Sequence, residues 1–297
     1  MLGLLLVNKP QGITSFGAVA RIKRISGERR VGHTGTLDPM ATGVLPIFIG
    51  RATALSSYLL DADKHYTATV RLGVTTDTCD ITGKVLKENA VNVTNDRVLE
   101  IMEKFKGKLK QTPPMFSALK RDGVPLYDLA RKGITVDIPE RDIEVFSIKQ
   151  TFPLDKNGEF GIDVSVSKGT YIRSLCRDMG EALGTGATLS ALNRTETAGF
   201  TLQNCVDLES LNEQNIGDYI LPCDKAVEYM PSVSVTENQA VRFSNGGQLS
   251  LDRLKLVSTV DGELYRVYCG GRFLGLGFID SARAQMGIKC VIEKYER

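Results

Sequence analysis

The sequence predicts a mixed α/β (α+β) fold followed by a small β-barrel. Its length of 297 residues favours two domains, because a domain averages ~100–200 residues. Helix-like and strand-like patterns alternate over the first 230 residues or so. Short strand-like segments at close spacing follow them, and this spacing is typical of small β-barrels.

The N-terminal elements are predicted from apolar runs and capping residues. Residues 4–7 predict a strand, and Thr14 or Ser15 can cap a helix that ends at Gly27. Residues 44–50 predict a buried strand, and residues 52–62 predict a helix. The apolar face expected for the first helix consists of Phe16, Val19, Ile22 and Ile25.

A loop with a single acidic residue lies between the first helix and the buried strand. Residues 31–43 read Val-Gly-His-Thr-Gly-Thr-Leu-Asp-Pro-Met-Ala-Thr-Gly, with Asp38 as the acidic residue. Glycine permits left-handed backbone, and Pro39 biases Asp38 towards an extended conformation. Asp38 is therefore expected on a stiff turn at the edge of the core. From the residues alone, a turn-capping aspartate and a functional carboxylate both remain open.

The middle of the chain contains further strands and helices. Residues 65–73 alternate in polarity and predict a half-buried strand, and a helix beginning at Thr94 or Asn95 ends at Gly107. The other predicted elements are strands at 143–152 and 160–167 with a turn at Asn157-Gly158, a helix from about 170 to 183, and a strand at 187–201.

Residues 111–142 differ in character from the rest of the domain. They contain four prolines, basic residues and apolar side chains such as Tyr127 and Leu129. Connections of this length are usually functional or mobile. We interpret the segment as a partly helical arm that closes on a ligand.

The C-terminal part begins after a predicted linker between Pro222 and Pro231. Short strands are predicted at 254–260, 263–269 and 272–279. Gly270-Gly271 is a two-residue hairpin turn signal between the last two strands.

The charge is unevenly distributed over a nearly neutral chain of net charge +2. Residues 1–60 carry seven basic and two acidic side chains, and residues 104–132 carry eight basic and two acidic side chains. Two such patches suggest a polyanionic ligand, although solvated helix faces would also explain them.

Cysteine usage and hydropathy indicate the compartment. Six cysteines are scattered without a C-x-x-C pair and there are two histidines, so we expect free thiols and no metal. The apolar N-terminus is too short for a signal peptide and no segment is long enough to span a membrane. We expect a cytoplasmic protein.

Three segments resemble motifs of the TruB family of pseudouridine synthases, in the same order and at similar spacing. They are Asn8-Lys9-Pro10-Gln11-Gly12-Ile13-Thr14-Ser15, the loop from Gly32 to Gly43, and Lys168-Gly169-Thr170-Tyr171-Ile172-Arg173-Ser174-Leu175. The resemblance implies a catalytic domain over residues 1–228 with a mixed, mainly antiparallel sheet and flanking helices. Residues 230–297 resemble a PUA-type RNA-binding barrel.

The resemblance also implies the chemistry. Uridine in RNA would be isomerised to pseudouridine: the glycosidic bond breaks, the base turns, and C5 joins C1′. No cofactor is needed for this redox-neutral step. Asp38 matches the essential carboxylate, as nucleophile or as base, and Arg173 matches the arginine beside it. Such an arginine would orient the carboxylate and favour its ionised form.

Other residues match substrate contacts of the family. Tyr66 would pack on a uracil flipped out of its stack, Tyr171 and Leu192 would line the pocket, and His33 would insert where the uridine left. Lys9 would support the catalytic loop or contact a phosphate. The residues expected to contact the RNA backbone are Arg29, Arg30, Lys120, Arg121, Arg131 and Lys132.

The substrate implied is uridine 55 in the T-arm stem-loop of tRNA. We expect a monomer that needs no protein partner and no membrane. The alternative is a non-catalytic RNA-binding or tRNA-folding protein on the same scaffold. Asp38, Tyr66 and Arg173 argue against it, because a pure binder has no need of a buried carboxylate facing a polyanion.

Overall fold

A computed structural model describes residues 1–296. The helices are α1 (Ser15–Ser26), α2 (Ser57–Leu60), α3 (Asn95–Lys104), α4 (Leu126–Arg131), α5 (Ile172–Ala182) and α6 (Glu237–Ser244). The strands up to residue 221 are β1 (Gly3–Lys9), β2 (Val31–His33), β3 (Thr42–Ile49), β4 (Lys64–Leu72), β5 (Val74–Thr76), β6 (Val85–Glu88), β7 (Gly107–Gln111), β8 (Lys120–Arg121), β9 (Val124–Pro125), β10 (Arg141–Phe152), β11 (Glu159–Val166), β12 (Ala187–Thr197), β13 (Phe200–Thr201), β14 (Val206–Asp207) and β15 (Ile220–Leu221). The later strands are β16 (Ser232–Ser234), β17 (Leu249–Ser250), β18 (Leu264–Cys269), β19 (Arg272–Asp280) and β20 (Gln285–Val291).

One large sheet organises the first 221 residues. Its main path runs β14-β1-β3-β12-β4-β11-β10-β7, with β2, β13 and β15 paired beside it. Pairing is antiparallel except for β1 with β14 and β3 with β12. The predicted mixed, mainly antiparallel sheet is therefore confirmed. The parallel pair of β3 and β12 lies at its centre and brings Gly43 beside Arg194.

The predicted N-terminal helix is correct in its ends, and Val19, Ile22 and Ile25 face the core as predicted, but the prediction is wrong for Phe16. Thr14 accepts a hydrogen bond from Gly17 N at 2.9 Å, and Gly27 ends the helix in the left-handed conformation. Phe16, however, is 72% exposed. The hydroxyl of Ser15 bonds to both the N–H and the carbonyl of Leu37, and this turns Ser15 rather than Phe16 towards the protein.

The strands and helices of the middle region follow the predicted pattern closely. In β4, residues alternate between buried and half-buried, as the sequence indicates. Helix α3 is capped by Thr94 as predicted. Residues 50–60 form a 3-10 helix followed by the short α2 rather than one continuous helix. The strand predicted at 187–201 turns back at residues 198–199 to form the β12–β13 pair.

The arm of residues 111–142 is partly helical, as predicted. It consists of the β8–β9 hairpin, helix α4 and extended chain on both sides. Leu126 is buried at the start of α4. The base of the arm is attached to the sheet through β7 and β10, which pair with each other.

The C-terminal part is a second sheet of order β16-β18-β19-β20-β17 with α6 packed against it. Two of its strands match the predictions. The strand predicted at 254–260 is wrong: this segment is irregular, because the hydroxyl of Tyr265 bonds to the N–H and the carbonyl of Ser258 and holds it as a loop. The assignment of this sheet to the PUA type stays a prediction.

The predicted linker between Pro222 and Pro231 is also wrong as a separate spacer. Residues 223–227 form a 3-10 helix whose apolar side chains are buried. They pack in one cluster with Leu4, Leu6 and Phe48 of the large sheet and with Phe273, Leu276 and Ile292 of the C-terminal part. The two parts of the molecule therefore share a hydrophobic core.

Several predicted properties of the whole chain can be compared with the structure. All six cysteines are free, as expected. Within residues 1–296, no group of three or more His, Cys, Asp or Glu side chains is arranged to hold a metal ion. No helix in this described part of the chain is both long and apolar enough to cross a membrane.

Candidate active site

The loop that carries Asp38 connects β2 to β3 and is fastened to the start of α1. Besides the two bonds from Ser15 to Leu37, the N–H of Gly12 donates to the carbonyl of Pro39 at 2.8 Å. The N–H of Ala41 donates to the carbonyl of Asp38 at 3.0 Å. These bonds fix the backbone on both sides of Asp38, so its carboxylate is held at a defined position.

Arg173, in the first turn of α5, binds this carboxylate through two of its nitrogens. Its Nε lies 2.9 Å from Oδ2 of Asp38, and its Nη2 lies 3.1 Å from Oδ1. The side chain of Arg173 is 5% exposed, whereas that of Asp38 is 32% exposed. The sequence-predicted pair is thus brought together, and the carboxylate still has an open side on which a substrate could lie.

The remaining donors of Arg173 bind backbone carbonyls from two other segments. Nη1 donates to Thr78 at 3.1 Å, and Nη2 donates to Phe116 at the base of the arm at 2.9 Å. Such a fork of fixed donors leaves the guanidinium little freedom to rotate. The orientation of Asp38 is therefore set by α5, the loop after β5 and the arm together.

The sequence analysis missed Asp80, a second carboxylate near this arginine. Asp80 is buried, lies 3.6 Å from Nη1 of Arg173, and accepts hydrogen bonds from Thr78 and Thr82. Its segment carries no periodic or spacing signal that would separate Asp80 from an ordinary turn aspartate. Only the folded arrangement brings it to Arg173.

The surroundings raise the pKa of Asp38 above its ordinary value, and the main cause is burial of the carboxylate. The Arg173 guanidinium opposes this change, the Asp80 charge adds to it, and the Lys9 charge opposes it more weakly. Desolvation disfavours the charged form of a carboxylate. Asp38 therefore depends on Arg173 to remain ionised.

Lys9, at the end of β1, is fully buried and holds the turn that contacts the Asp38 loop. Its Nζ donates to the carbonyls of Pro10 and Ile13, each at 2.8 Å, and burial lowers the pKa of Lys9 to about 8. The turn that it organises includes Gly12, which binds Pro39 next to Asp38. Of the two roles predicted for Lys9, these contacts favour loop support over phosphate binding.

Arg194 on β12 is another residue that the sequence analysis did not identify. It is 1% exposed, and it donates from Nε to the carbonyl of Val44 at 2.8 Å and from Nη2 to that of Gly35 at 3.0 Å. These two carbonyls lie on opposite sides of Asp38 along the chain. Arg194 therefore ties together the two ends of the loop. An arginine at a core-facing strand position was the available sequence signal.

Tyr66 and Leu192 lie on the sheet face that Arg194 also uses. Tyr66 on β4 pairs directly with Arg194 on β12. Two residues away on each strand, Ala68 pairs with Leu192, so this pair projects to the same face. Directly paired residues project to the same face of a sheet, and both Tyr66 and Leu192 are largely buried. They lie on one face of the central sheet with Arg194, and their role in a substrate pocket stays a prediction.

Tyr171 connects the start of α5 to the base of the arm. Its N–H and carbonyl both bond to the side chain of Gln111, at 2.8 and 3.1 Å. Burial is the main cause that raises the pKa of Tyr171, so its phenol stays protonated at neutral pH.

His33 ends β2 immediately before the loop. Its Nδ1 is buried without a hydrogen-bond partner within the described residues. Burial, followed by the positive charge of Arg194, lowers the pKa of His33. A neutral imidazole at neutral pH suits stacking, the role predicted for it.

The six basic residues predicted to contact a polyanion are all exposed and lie in two places. Arg29 and Arg30 precede β2, whereas the other four belong to the arm. Arg131 lies over the ring of Tyr127 at 5.5 Å, and Arg121 donates to the carbonyl of Asp137. The arm is attached to α5 by Ser174 and Arg177, which both donate to the carbonyl of Thr112 at 2.9 and 3.1 Å.

Taken together, the site offers one partly exposed carboxylate held by an arginine fork, with the buried side chains of Tyr66 and Leu192 on the central sheet. The cations of the arm belong to the same segment as Phe116, whose carbonyl binds Arg173. This arrangement can present a nucleophile or base to a neutral group of a polyanionic substrate.

Comparison with known proteins gives consistent matches along the chain. A family model described as TruB family pseudouridylate synthase (N terminal domain) matches residues 23–172. A second model, tRNA pseudouridylate synthase B C-terminal domain, matches residues 173–228.

Individual relatives match over nearly the full length. The tRNA pseudouridine synthase B of Clostridium tetani is 44% identical over 278 residues, which cover 93% of this chain and 95% of that protein. The protein of the same name from Azoarcus sp. is 44% identical over 280 residues, 93% of this chain and 90% of its own. A solved structure described as a Cbf5-Nop10-Gar1 complex aligns with a TM-score of 0.70 at 29% identity, covering 98% of this chain and 84% of that one.

Proposed function

Because the chain belongs to the TruB family of pseudouridine synthases, we propose that it converts uridine to pseudouridine in tRNA. The reaction is an isomerisation in which the N1–C1′ bond breaks and a C5–C1′ bond forms. Its relatives carry the name tRNA pseudouridine synthase B, and this name supports tRNA as the substrate.

The observation that carries the proposal is the two-point contact between Arg173 and Asp38. A carboxylate that starts glycosidic cleavage must stay ionised in a pocket from which water is expelled. Arg173 opposes the effect of burial on the pKa of Asp38 and orients both carboxylate oxygens. Asp38 acts either as the nucleophile or as the base, and both roles need this orientation. A protein that only binds RNA gains nothing from it, which disfavours the non-catalytic alternative.

The target base has to leave its stack to reach Asp38, as in other enzymes that act on a base within a folded nucleic acid. In our proposal Tyr66 packs against the flipped uracil, and Leu192 and Tyr171 complete the pocket. His33 fills the place in the RNA that the uridine leaves. The partly exposed carboxylate of Asp38 and the apolar face next to it support this arrangement.

For the target we propose uridine 55 in the T-arm stem-loop. The cations of the arm (Lys120, Arg121, Arg131 and Lys132) contact its phosphates, and Arg29 and Arg30 contact the RNA backbone. The C-terminal part, residues 230–297, is an RNA-binding domain of the PUA type in this proposal, appended to a catalytic domain of residues 1–228. The protein acts in the cytoplasm as a monomer without a cofactor or protein partner.

A nucleotide-resolved map of pseudouridine in tRNA tests this function. Unmodified tRNA is mapped before and after incubation with the purified protein, and pseudouridine is expected at position 55 alone. Pseudouridine at another position instead would contradict the T arm as the proposed target. No product on any tRNA would favour the non-catalytic alternative.

A further inference from the structure

A basic groove runs along the line where the two parts of the molecule meet. It consists of two adjoining hollows of about 570 and 560 Å³ that share Arg30, Arg51 and Lys294. The turn after α1 and the end of β3 form one wall, and residues 291–294 form the other. We call it the seam groove.

The cations of the seam groove have no partner within the described part of the protein. Arg29, Arg30, Arg51 and Lys294 are all exposed, and none of their side chains makes an ion pair or hydrogen bond to another of residues 1–296. The two acidic residues of the groove are already paired: Glu28 binds the N-terminal ammonium of Met1, which also lines the groove, and Glu293 binds Arg272. Four uncommitted positive charges therefore face one concave surface.

The groove is preformed because its two walls share a core. Leu4, Leu6 and Phe48 pack in one cluster with Phe273, Leu276 and Ile292 across the seam. A site with fixed walls avoids much of the ordering cost of binding. The positive charges are thus held at set distances from one another before a ligand arrives.

The position of the groove separates it from the contacts of the active site. Gly43 at one end of β3 adjoins the catalytic loop, and Gly50 at the other end lines the groove. Seven residues of strand correspond to about 23 Å. The base of the arm lies at the active-site end, because the carbonyl of Phe116 accepts a hydrogen bond from Arg173 beside Asp38. The groove and the arm are therefore separate contact surfaces, and the groove also lies well away from Asp38.

We propose that the seam groove binds the phosphodiester backbone of tRNA outside the T-arm hairpin; this inference rests on the proposed function. Arginine and lysine are the usual ligands of phosphate groups. The charges are spread over two adjoining hollows rather than directed at one point, which suits a chain of phosphates better than one small anion. Arg29 and Arg30 belong to this groove and not to the hairpin contacts.

The test compares a full-length tRNA with the isolated T-arm hairpin. The variant replaces Arg51 and Lys294 by glutamine, both exposed and away from the proposed catalytic residues. The control replaces Lys87 and Lys156 by glutamine, which removes the same charge from exposed positions outside the groove. Affinity is measured over a range of salt concentrations, and pseudouridine formation is measured separately at saturating protein.

The seam variant should bind full-length tRNA about tenfold more weakly than the control. Its slope of log affinity against log salt concentration should be smaller in magnitude by about 1.4 to 1.8. Both variants should bind the hairpin alike, and product formation from saturated complexes should be unchanged. Equal binding of full-length tRNA by both variants would overturn the inference, as would an equal loss on the hairpin. An unmodified protein that binds tRNA but forms no pseudouridine would instead refute the proposed function.

Discussion

Two opposing effects act on the carboxylate of Asp38. Burial raises its pKa, and the Arg173 guanidinium at 2.9 and 3.1 Å favours the ionised form. Asp80, behind the arginine, adds a further raising effect. The reactivity of the site is therefore expected to depend on pH through Asp38 and on charge through Arg173.

The pH dependence follows from the direction of this shift. The ionised carboxylate is the reactive form, and its pKa is raised. As the pH is lowered, kcat/KM should therefore begin to fall at a higher pH than it would if Asp38 had the pKa of an ordinary aspartate. Arg173→Gln removes the opposing charge, so the acidic limb should move to still higher pH. The measurement is kcat/KM for tRNA between about pH 4 and 9, a profile that reports the free enzyme. An acidic limb that stays in place in Arg173→Gln would contradict this explanation.

Arg194 gives a second prediction at this scale. Arg194→Gln loses the link between the carbonyls of Gly35 and Val44 and should destabilise the protein by about 1–3 kcal/mol. The loop would hold Asp38 less well, so single-turnover product formation should slow about tenfold or more while tRNA affinity changes only a few-fold. Urea unfolding, single-turnover kinetics and a binding assay measure these effects. An unchanged rate would show that the loop does not need this link.

The sequence motifs indicated Asp38 and Arg173, which the structure brings together, and they missed Asp80 and Arg194, which are defined by long-range contacts. Asp38 and Arg173 are 135 positions apart, yet each lies in a recognisable motif. Asp80 and Arg194 have no such context, and their roles arise from contacts made only after the sheet has formed. Phe16 was assigned to the buried face because periodicity cannot show that a serine at the preceding position bonds to a distant loop.

At the scale of elements, α5 connects the carboxylate of Asp38 to the arm. Arg173, Ser174 and Arg177 in its first two turns bind Asp38, Phe116 and Thr112. The base of the arm is therefore fixed to the active site, whereas its cations lie further out along the arm. Helix ends were predictable from caps such as Thr14, Thr94 and Gly27. The pairing of β3 with β12 was not, because parallel pairing carries no local signal.

The arm should contribute phosphate contacts to binding. Replacing Lys120, Arg121, Arg131 and Lys132 by glutamine should lower the slope of log affinity against log salt for a T-arm hairpin by about 0.7 to 0.9 for each phosphate that the arm no longer binds. Lys84, Lys87, Lys149 and Lys156, which are also exposed and replaced in the same way, serve as the matched control. A slope equal to that of the control would mean that the arm does not touch RNA.

At the scale of the whole molecule, the C-terminal sheet packs against the face of the large sheet that carries Leu4, Leu6 and Phe48. The prolines at 222 and 231 predicted a linker because prolines favour such segments, but the residues between them include apolar side chains that enter the shared core. Two regions of different strand pattern thus form one packed structure. Sequence patterns indicated further strands in the C-terminal part, where the structure has a separate sheet, but they contain no information on how much surface the two parts bury against each other.

The shared core should make the protein unfold as one unit. Leu276 is fully buried in the cluster, so Leu276→Ala should cost about 2–5 kcal/mol. Loss of circular dichroism and loss of pseudouridine formation should then shift together along a urea gradient, in a single transition. Two separated transitions, with activity surviving the first, would show that the C-terminal part is energetically independent.

The central claim is that Asp38 and Arg173 act as one catalytic unit on a bound uridine. Asp38→Asn keeps the size of the side chain and removes its charge, and Arg173→Lys keeps the charge but loses the two-pronged contact. Effects within such a unit are not additive. The double variant should therefore be no slower than Asp38→Asn alone.

The most direct measurement is single-turnover formation of pseudouridine in tRNA at saturating protein, for the unmodified protein and these three variants, beside an independent binding assay. We predict no product from Asp38→Asn, slow product from Arg173→Lys, and tRNA affinities within a few-fold of one another. Substantial product from Asp38→Asn, or a rate for Arg173→Lys equal to that of the unmodified protein, would contradict the claim.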